Sequence, residues 1–261
     1  MRYSAIFMPF FALLAGISGY YLRLLELRKV FDEFTGLPLR GSLITTTLII
    51  LTVGFMVIVL FYSLFIRSKK VSPQGFPNAF GTEVLAYPLV FSAVGLVWIG
   101  ATAAYFLKVR SQGTIPTTDL IFLFLSAISA LSVILFSVEV YQDPRKNTKL
   151  ALSVIPAIFL CYWLIMLYKQ NASNPVLLSY CYQCLAVMSS TMGFYYTAGF
   201  VYNKPSPGKS IFAFFAAIYF CFVTLADNHI PGIKLIFIAI IAINVFYSSL
   251  LLRNLKRKDR G

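Results

Sequence analysis

Charge is scarce in this chain. Of 261 residues only 12% are charged, nine are acidic and a single one, His229, is a histidine. So few titratable groups leave little material for general acid–base catalysis. No HExxH, GxSxG or glycine-rich phosphate loop occurs, which argues against metalloprotease, serine hydrolase and nucleotide-binding chemistry. The four cysteines are Cys161, Cys181, Cys184 and Cys221; a structural zinc site needs four clustered ligands, which this spacing does not provide. The motifs therefore point to no catalytic residue, no cofactor and no metal site, and an enzyme of a common class is not expected. Long polar stretches are also missing. The longest connection is about 20 residues, too short for a second folded domain. No small-residue cleavage site follows the first apolar run, so that run reads as a retained span and not a signal peptide.

What the chain has is apolar sequence. It is 59% hydrophobic with a mean hydropathy of +0.80, more apolar surface than a soluble protein of this length can hide. The apolar residues come in membrane-length runs at about 4–22, 43–66, 84–107, 119–140, 149–168, 176–202, 211–226 and 233–252. The expected fold class is all-α: a polytopic integral membrane bundle of about eight helices, with an amphipathic extension after the first. Residues 1–252 form one transmembrane domain and 253–261 a basic, solvated tail.

The most polar of these runs is 175–202. Ser179, Gln183, Ala186, Ser190, Gly193 and Thr197 recur at steps of three and four and share one helical face. Two readings stand: a packing seam of small and hydroxyl residues, or the wall of a polar cavity containing Gln183, Ser190 and Thr197. Glu139, close to the end of the fourth run, is the deepest acid and joins them as a candidate, since an acid within a span is functional by default. Its other reading is an interfacial ion pair with Arg145 or Lys146. Asp227 and His229, between the last two runs, form a candidate outer mouth able to handle a proton or cation; the competing reading is a solvated turn before Pro231-Gly232. Cys181-Tyr182-Gln183-Cys184 admits thiol redox chemistry, against which stands the lack of a partner cysteine pair in any external loop. Pro156 is expected to kink the fifth span near Leu152, Glu83 to favour the start of the third, and Trp98 and Tyr105 to approach a membrane interface.

Within 23–42, Leu24, Leu27, Phe31 and Phe34 lie on one face, and Arg28/Asp32 and Lys29/Glu33 are opposite charges four apart. Gly36 and Pro38 end the helical pattern. This segment reads as an extension of the first span that bends onto the membrane surface. Arg-Leu-Leu-Glu-Leu-Arg-Lys at 23–29, Phe31-Asp32 and Thr35-Gly36-Leu37-Pro38 before a threonine-rich span resemble a group of multi-span proteins of anaerobic Gram-positive bacteria. The resemblance covers mainly residues 1–65. It implies a bacterial plasma membrane and brings no activity and no site residues.

The formal net charge is +13. The basic residues sit at helix ends and in loops, where topology and anionic headgroups require them, so nucleic acid is not an expected partner. With eight spans, 14 of the 22 lysines and arginines fall on the face that holds both termini, which places the termini in the cytoplasm. The four basic residues after the first span are the opposing term. The expected partners are the lipid bilayer and a membrane or cytoplasmic protein; the small ligand is not specified. Two functions remain: small-molecule or ion transport, alone or as a transporter's membrane subunit, or a non-catalytic sensor or assembly partner acting through 23–42.

Overall fold

The computed structural model describes residues 4–31, 39, 41–71, 73, 75–82, 86–142, 150–172, 176 and 180–257. Among them are eight long helices: α1 (Ser4–Lys29), α2 (Leu43–Lys69), α4 (Ala86–Arg110), α5 (Thr117–Gln142), α6 (Ile155–Asn171), α7 (Cys181–Val201), α8 (Pro207–Thr224) and α9 (Pro231–Asn254). A five-residue helix, α3 (Phe76–Phe80), lies in the loop after α2. The architecture is an all-α bundle of polytopic membrane type. Among the described residues six helices are long and apolar enough to cross a bilayer: α1, α2, α4, α5, α8 and α9. The other two expected spans fall short for separate reasons. α6 has 17 residues, and α7 carries Gln183 and a run of hydroxyl side chains.

The helices divide into centre and periphery. In α8 78% of the spanning window is buried, against 22% in α2. The periphery exposes Ile50, Val53, Val57, Phe61 and Leu64 of α2 and Leu89, Leu96 and Leu107 of α4. In water such a shell would be untenable, and hydrocarbon solvates it. α8 and α9 meet α1 and α2 on one side and α4 on the other, with α7 packed along α8.

Small residues set the closest approaches. A Cβ on Gly232 would lie 2.6 Å from the Ala101 carbonyl oxygen and 2.6 Å from the Tyr105 nitrogen, so only glycine lets α9 start against the α4 backbone. On α1 the buried residues are Ala5, Pro9, Ala12, Gly16, Gly19, Arg23 and Glu26, continued by Val30 just past its end, alternating steps of four and three. Along this stripe Gly16 and Gly19 meet Phe222, Val223 and Tyr219 of α8.

Several sequence expectations change here. The 23–42 extension begins as the last two turns of an unbroken α1, which ends at Lys29, and Arg23 and Glu26 point inward, not towards the membrane surface. Asp32, Glu33, Phe34, Gly36 and Pro38 lie outside the described residues, as do Glu83 and the start expected near it. Pro156 does not kink a long span. It sits in the first turn of α6, where its missing N–H costs nothing, and Leu150–Ser153 form a separate 3₁₀ turn before it. Trp98 is fully buried, donating to Ser126 Oγ at 3.0 Å, and Tyr105 donates to Asp119 at 2.9 Å; both are core residues. The basic tail starts inside the fold: α9 runs through Arg253, Leu255 is buried, and Lys256–Arg257 pair antiparallel with Lys70–Val71. This two-residue ribbon ties the end of α9 to the end of α2. Residues 258–261 lie outside the described residues.

The glycine contacts give a first prediction. Gly232→Ala should lower the midpoint of thermal unfolding in detergent, at a cost of about 1–3 kcal/mol for forced overpacking. Gly54→Ala, on an open face of α2, should leave it unchanged or slightly raised. Tryptophan-fluorescence melting of the two variants measures the contrast.

Candidate functional site

The end of the bundle where α1 finishes and α8 turns into α9 holds a buried charge cluster. Arg23 is 0% exposed. Its Nε donates to Asp227 Oδ1 at 2.8 Å and its Nη1 to Glu26 Oε2 at 2.7 Å. The first contact joins residues 204 positions apart. The guanidinium also faces the rings of Tyr182 at 5.2 Å and Phe31 at 5.8 Å, a cation–π arrangement that suits delocalised Arg better than Lys.

Local structure explains the placement. Arg23 and Glu26 are three apart on α1 and continue its buried stripe, so both side chains meet α8. α8 ends at Thr224, and a tight turn brings Asp227 back beneath it: the Asp227 N–H donates to the Thr224 carbonyl at 3.0 Å and the His229 N–H to the Asp227 carbonyl at 2.9 Å. The Thr224 hydroxyl donates to Asp227 Oδ2 at 2.9 Å and lies 3.0 Å from His229 Nε2. A hydroxyl has one proton to give. With that proton on Asp227, the imidazole is the donor, which assigns the hydrogen to Nε2. Burial is the largest influence on His229 and holds its pKa below the ordinary imidazole value, outweighing the attraction of Asp227; Lys234 and Arg23 push the same way as burial.

The cluster is incompletely satisfied. Glu26 is buried, and among the described residues its Oε1 has no hydrogen-bond partner. A buried carboxylate oxygen without a donor is costly. The Arg23 guanidinium stabilises the cluster only if both acids stay in place, since removing one partner of a buried pair leaves the other charge uncompensated.

The candidates named from sequence are placed as follows. Asp227 and His229 belong to this cluster, with Oδ2 and Nε2 3.9 Å apart. Ser190 and Thr197 are buried on α7, but each hydroxyl donates to its own helix, to the Ala186 carbonyl at 2.6 Å and the Gly193 carbonyl at 2.9 Å. Their stripe forms a seam: Ser190 Oγ lies 3.5 Å from Cys221 Sγ on α8, and a Cβ on Gly193 would meet Asn244 of α9. Gln183, the residue after Tyr182, is half-buried. A small cavity of about 10 Å³, room for roughly one water, touches Thr197 together with Ser132, Ser153 and Tyr247; it does not extend to Gln183 or Ser190. Glu139 is on α5, and its side chain lies outside the described residues. Cys181 and Cys184 are free, half-buried thiols. Among the described residues no three His, Cys, Asp or Glu side chains gather into a metal site.

Sequence reasoning missed Arg23, Glu26 and Thr224. The signal for the first two was present. The Ala12, Gly16, Gly19 stripe runs straight on to Arg23 and Glu26 at the same spacing, so two charges continue a face of small residues suited to close helix contact.

Two outcomes follow. Asp227→Asn should destabilise the detergent-solubilised protein by about 3–5 kcal/mol, measured by thermal melting. His229 binds its proton more weakly folded than unfolded, so stability rises with pH through the imidazole range and falls as the medium is acidified. His229→Gln should flatten that slope in melts taken between mildly acid and mildly alkaline buffers. No protein-family model matches the chain, and neither a curated protein nor a solved structure matches it.

Proposed function

We propose that this chain is an ion or small-molecule transport protein of a bacterial plasma membrane, or the membrane subunit of a transporter. Its working centre is the Arg23, Glu26, Asp227, Thr224, His229 cluster and not the Gln183–Ser190–Thr197 face. The observation that carries this reading is a fully buried arginine held by two acids within a lipid-solvated bundle. Ionisable groups are expensive inside a membrane and persist there mainly along ion and substrate paths. The hydroxyl face of α7, by contrast, is consumed in helix packing and in bonds to its own backbone.

The charge bias supports an orientation with both termini and the Lys70–Val71/Lys256–Arg257 ribbon in the cytoplasm. The cluster then lies near the opposite face, where α1 ends, within reach of external solute. Glu139 keeps the role of a second acid on a path through α5. A second reading, a sensor or assembly partner working through 23–42, draws on the same geometry, because Arg23 and Glu26 fasten the start of that segment to the α8–α9 turn.

Reconstituted vesicles on a solid-supported membrane test the transport reading. Concentration jumps of inorganic ions, amines and amino acids should evoke protein-dependent currents for at least one solute. Arg23→Gln should abolish them in a folded variant, and Ser190→Ala should preserve them. A folded Arg23→Gln protein with unaltered currents, or silence of the native protein across the panel, would contradict this function. If the panel is silent while partners co-purify and are lost on replacing the charges of 23–42, the assembly reading takes its place.

A further inference from the structure

Among the described residues two buried side-chain atoms lack a hydrogen-bond partner: Glu26 Oε1 on α1 and Thr45 Oγ1 on α2. Thr45 is the exception among its neighbours. The hydroxyls of Thr46, Thr47 and Thr52 donate to the carbonyls of Ser42, Leu43 and Leu48, each four residues back. The corresponding acceptor for Thr45 would be Gly41, which precedes the helix with φ +76°, so the hydroxyl is left without that bond.

The two orphan atoms sit at the same end of the bundle. α2 runs antiparallel to α8 in one register, fixed by Ser63 Oγ donating to the Gly208 carbonyl at 2.8 Å and by Thr52 Oγ1 lying 2.7 Å from Tyr219 Oη. Carried on from Thr52 to Thr45, that register ends level with the turn beside Asp227, which holds Arg23. Glu26 is one turn beyond Arg23 on α1. In a helix every Cα–Cβ bond tilts towards the N-terminus. On these antiparallel neighbours Glu26 therefore leans inward and Thr45 leans outward, each towards the other's level in the bundle.

Charge points to the occupant. Arg23 is one cation set against two buried carboxylates, and His229 is held towards its neutral form. Among the described residues the buried members carry one net negative charge; Lys234, at the start of α9, is half-exposed and keeps its ammonium within reach of water. The free donors are a carboxylate and a hydroxyl oxygen, hard ligands that suit hard cations over the thiolate- and imidazole-binding metals. We propose that Glu26 and Thr45 form a binding site for one monovalent alkali cation at the junction of α1, α2 and the α8–α9 turn. As the coupling ion of a transporter it rests on the transport reading above; as a binding site it stands on the geometry alone.

The test uses the purified full chain at fixed pH and ionic strength, with choline replaced by Na⁺ or K⁺. One of the two should raise the melting temperature saturably by several degrees, and equilibrium dialysis with the radioactive cation should find one bound per chain. Glu26→Gln should abolish both effects and Thr45→Val should weaken binding at least several-fold, while Thr46→Val, at an exposed neighbour, should retain it. No saturable cation effect, an effect that follows ionic strength alone, or binding that survives Glu26→Gln overturns the site. If Glu26→Gln fails to fold, Thr45→Val decides, and unchanged affinity overturns it. Cation binding without cation-dependent currents in vesicles upholds the site and counts against transport; currents without cation binding do the reverse.

Discussion

A guanidinium sealed inside an apolar bundle cannot stand alone, and much of the arrangement at this end of the molecule answers that constraint. Arg23 is surrounded by α1, the first turn of α7 and the α8–α9 turn, and its charge is met by Asp227 and Glu26. For Asp227 to arrive, α8 must end at Thr224 and turn within three residues. For Arg23 to face it, the stripe of Ala12, Gly16 and Gly19 must bring α1 against α8 at close range. Packing of small residues and pairing of charges are thus two parts of one contact. The ion pair is not a large source of net stability, because desolvation offsets most of its attraction. Its effect is on specificity: any other register of α1 on α8 would separate the buried Asp227 from Arg23.

The rest of the core is aromatic and does not need such exactness. Trp98, Phe122, Phe159, Trp163 and Phe237 stack and tilt against one another with centroids 4.9 to 5.9 Å apart. At the other end Phe76 and Phe80 of the short α3 plug the bundle against Phe136, Phe200 and Tyr247. These contacts are broad and tolerant. Among the described residues the molecule therefore pairs an aromatic, well-satisfied body with one polar end where one carboxylate oxygen has no partner. Function concentrates where local rules are broken, and here that place is the Arg23 cluster.

How much of this was legible in the sequence follows from what each signal encodes. Runs of apolar residues encode solvent, so the helical membrane class and the positions of eight helices could be read directly. Small and hydroxyl residues at steps of three and four encode a face, and α7 does bury Ala186, Ser190, Gly193 and Thr197 together. Periodicity does not say what that face meets. The hydroxyls are spent on backbone carbonyls one turn back, a choice that depends on the neighbours α8 and α9. Pro156 shows a similar limit: its effect depends on whether it falls inside a helix or at its start. Arg23 and Glu26 were misjudged because charge outside a hydrophobic window reads as surface, although their spacing continued a buried stripe. Asp227 and His229 were read as a pair, but the arginine that completes them is 204 residues away, and nothing local announces it.

The central claim is that Arg23 and Asp227 act as one unit across the α1–α8 contact. A double-mutant cycle on unfolding in detergent, with Arg23→Met, Asp227→Asn and the double variant, measures it most directly. The account predicts a coupling energy above about 1.5 kcal/mol, with the double variant more stable than the two single losses imply. Additive losses, within about 0.5 kcal/mol, would show that the two side chains do not depend on each other and would contradict the account.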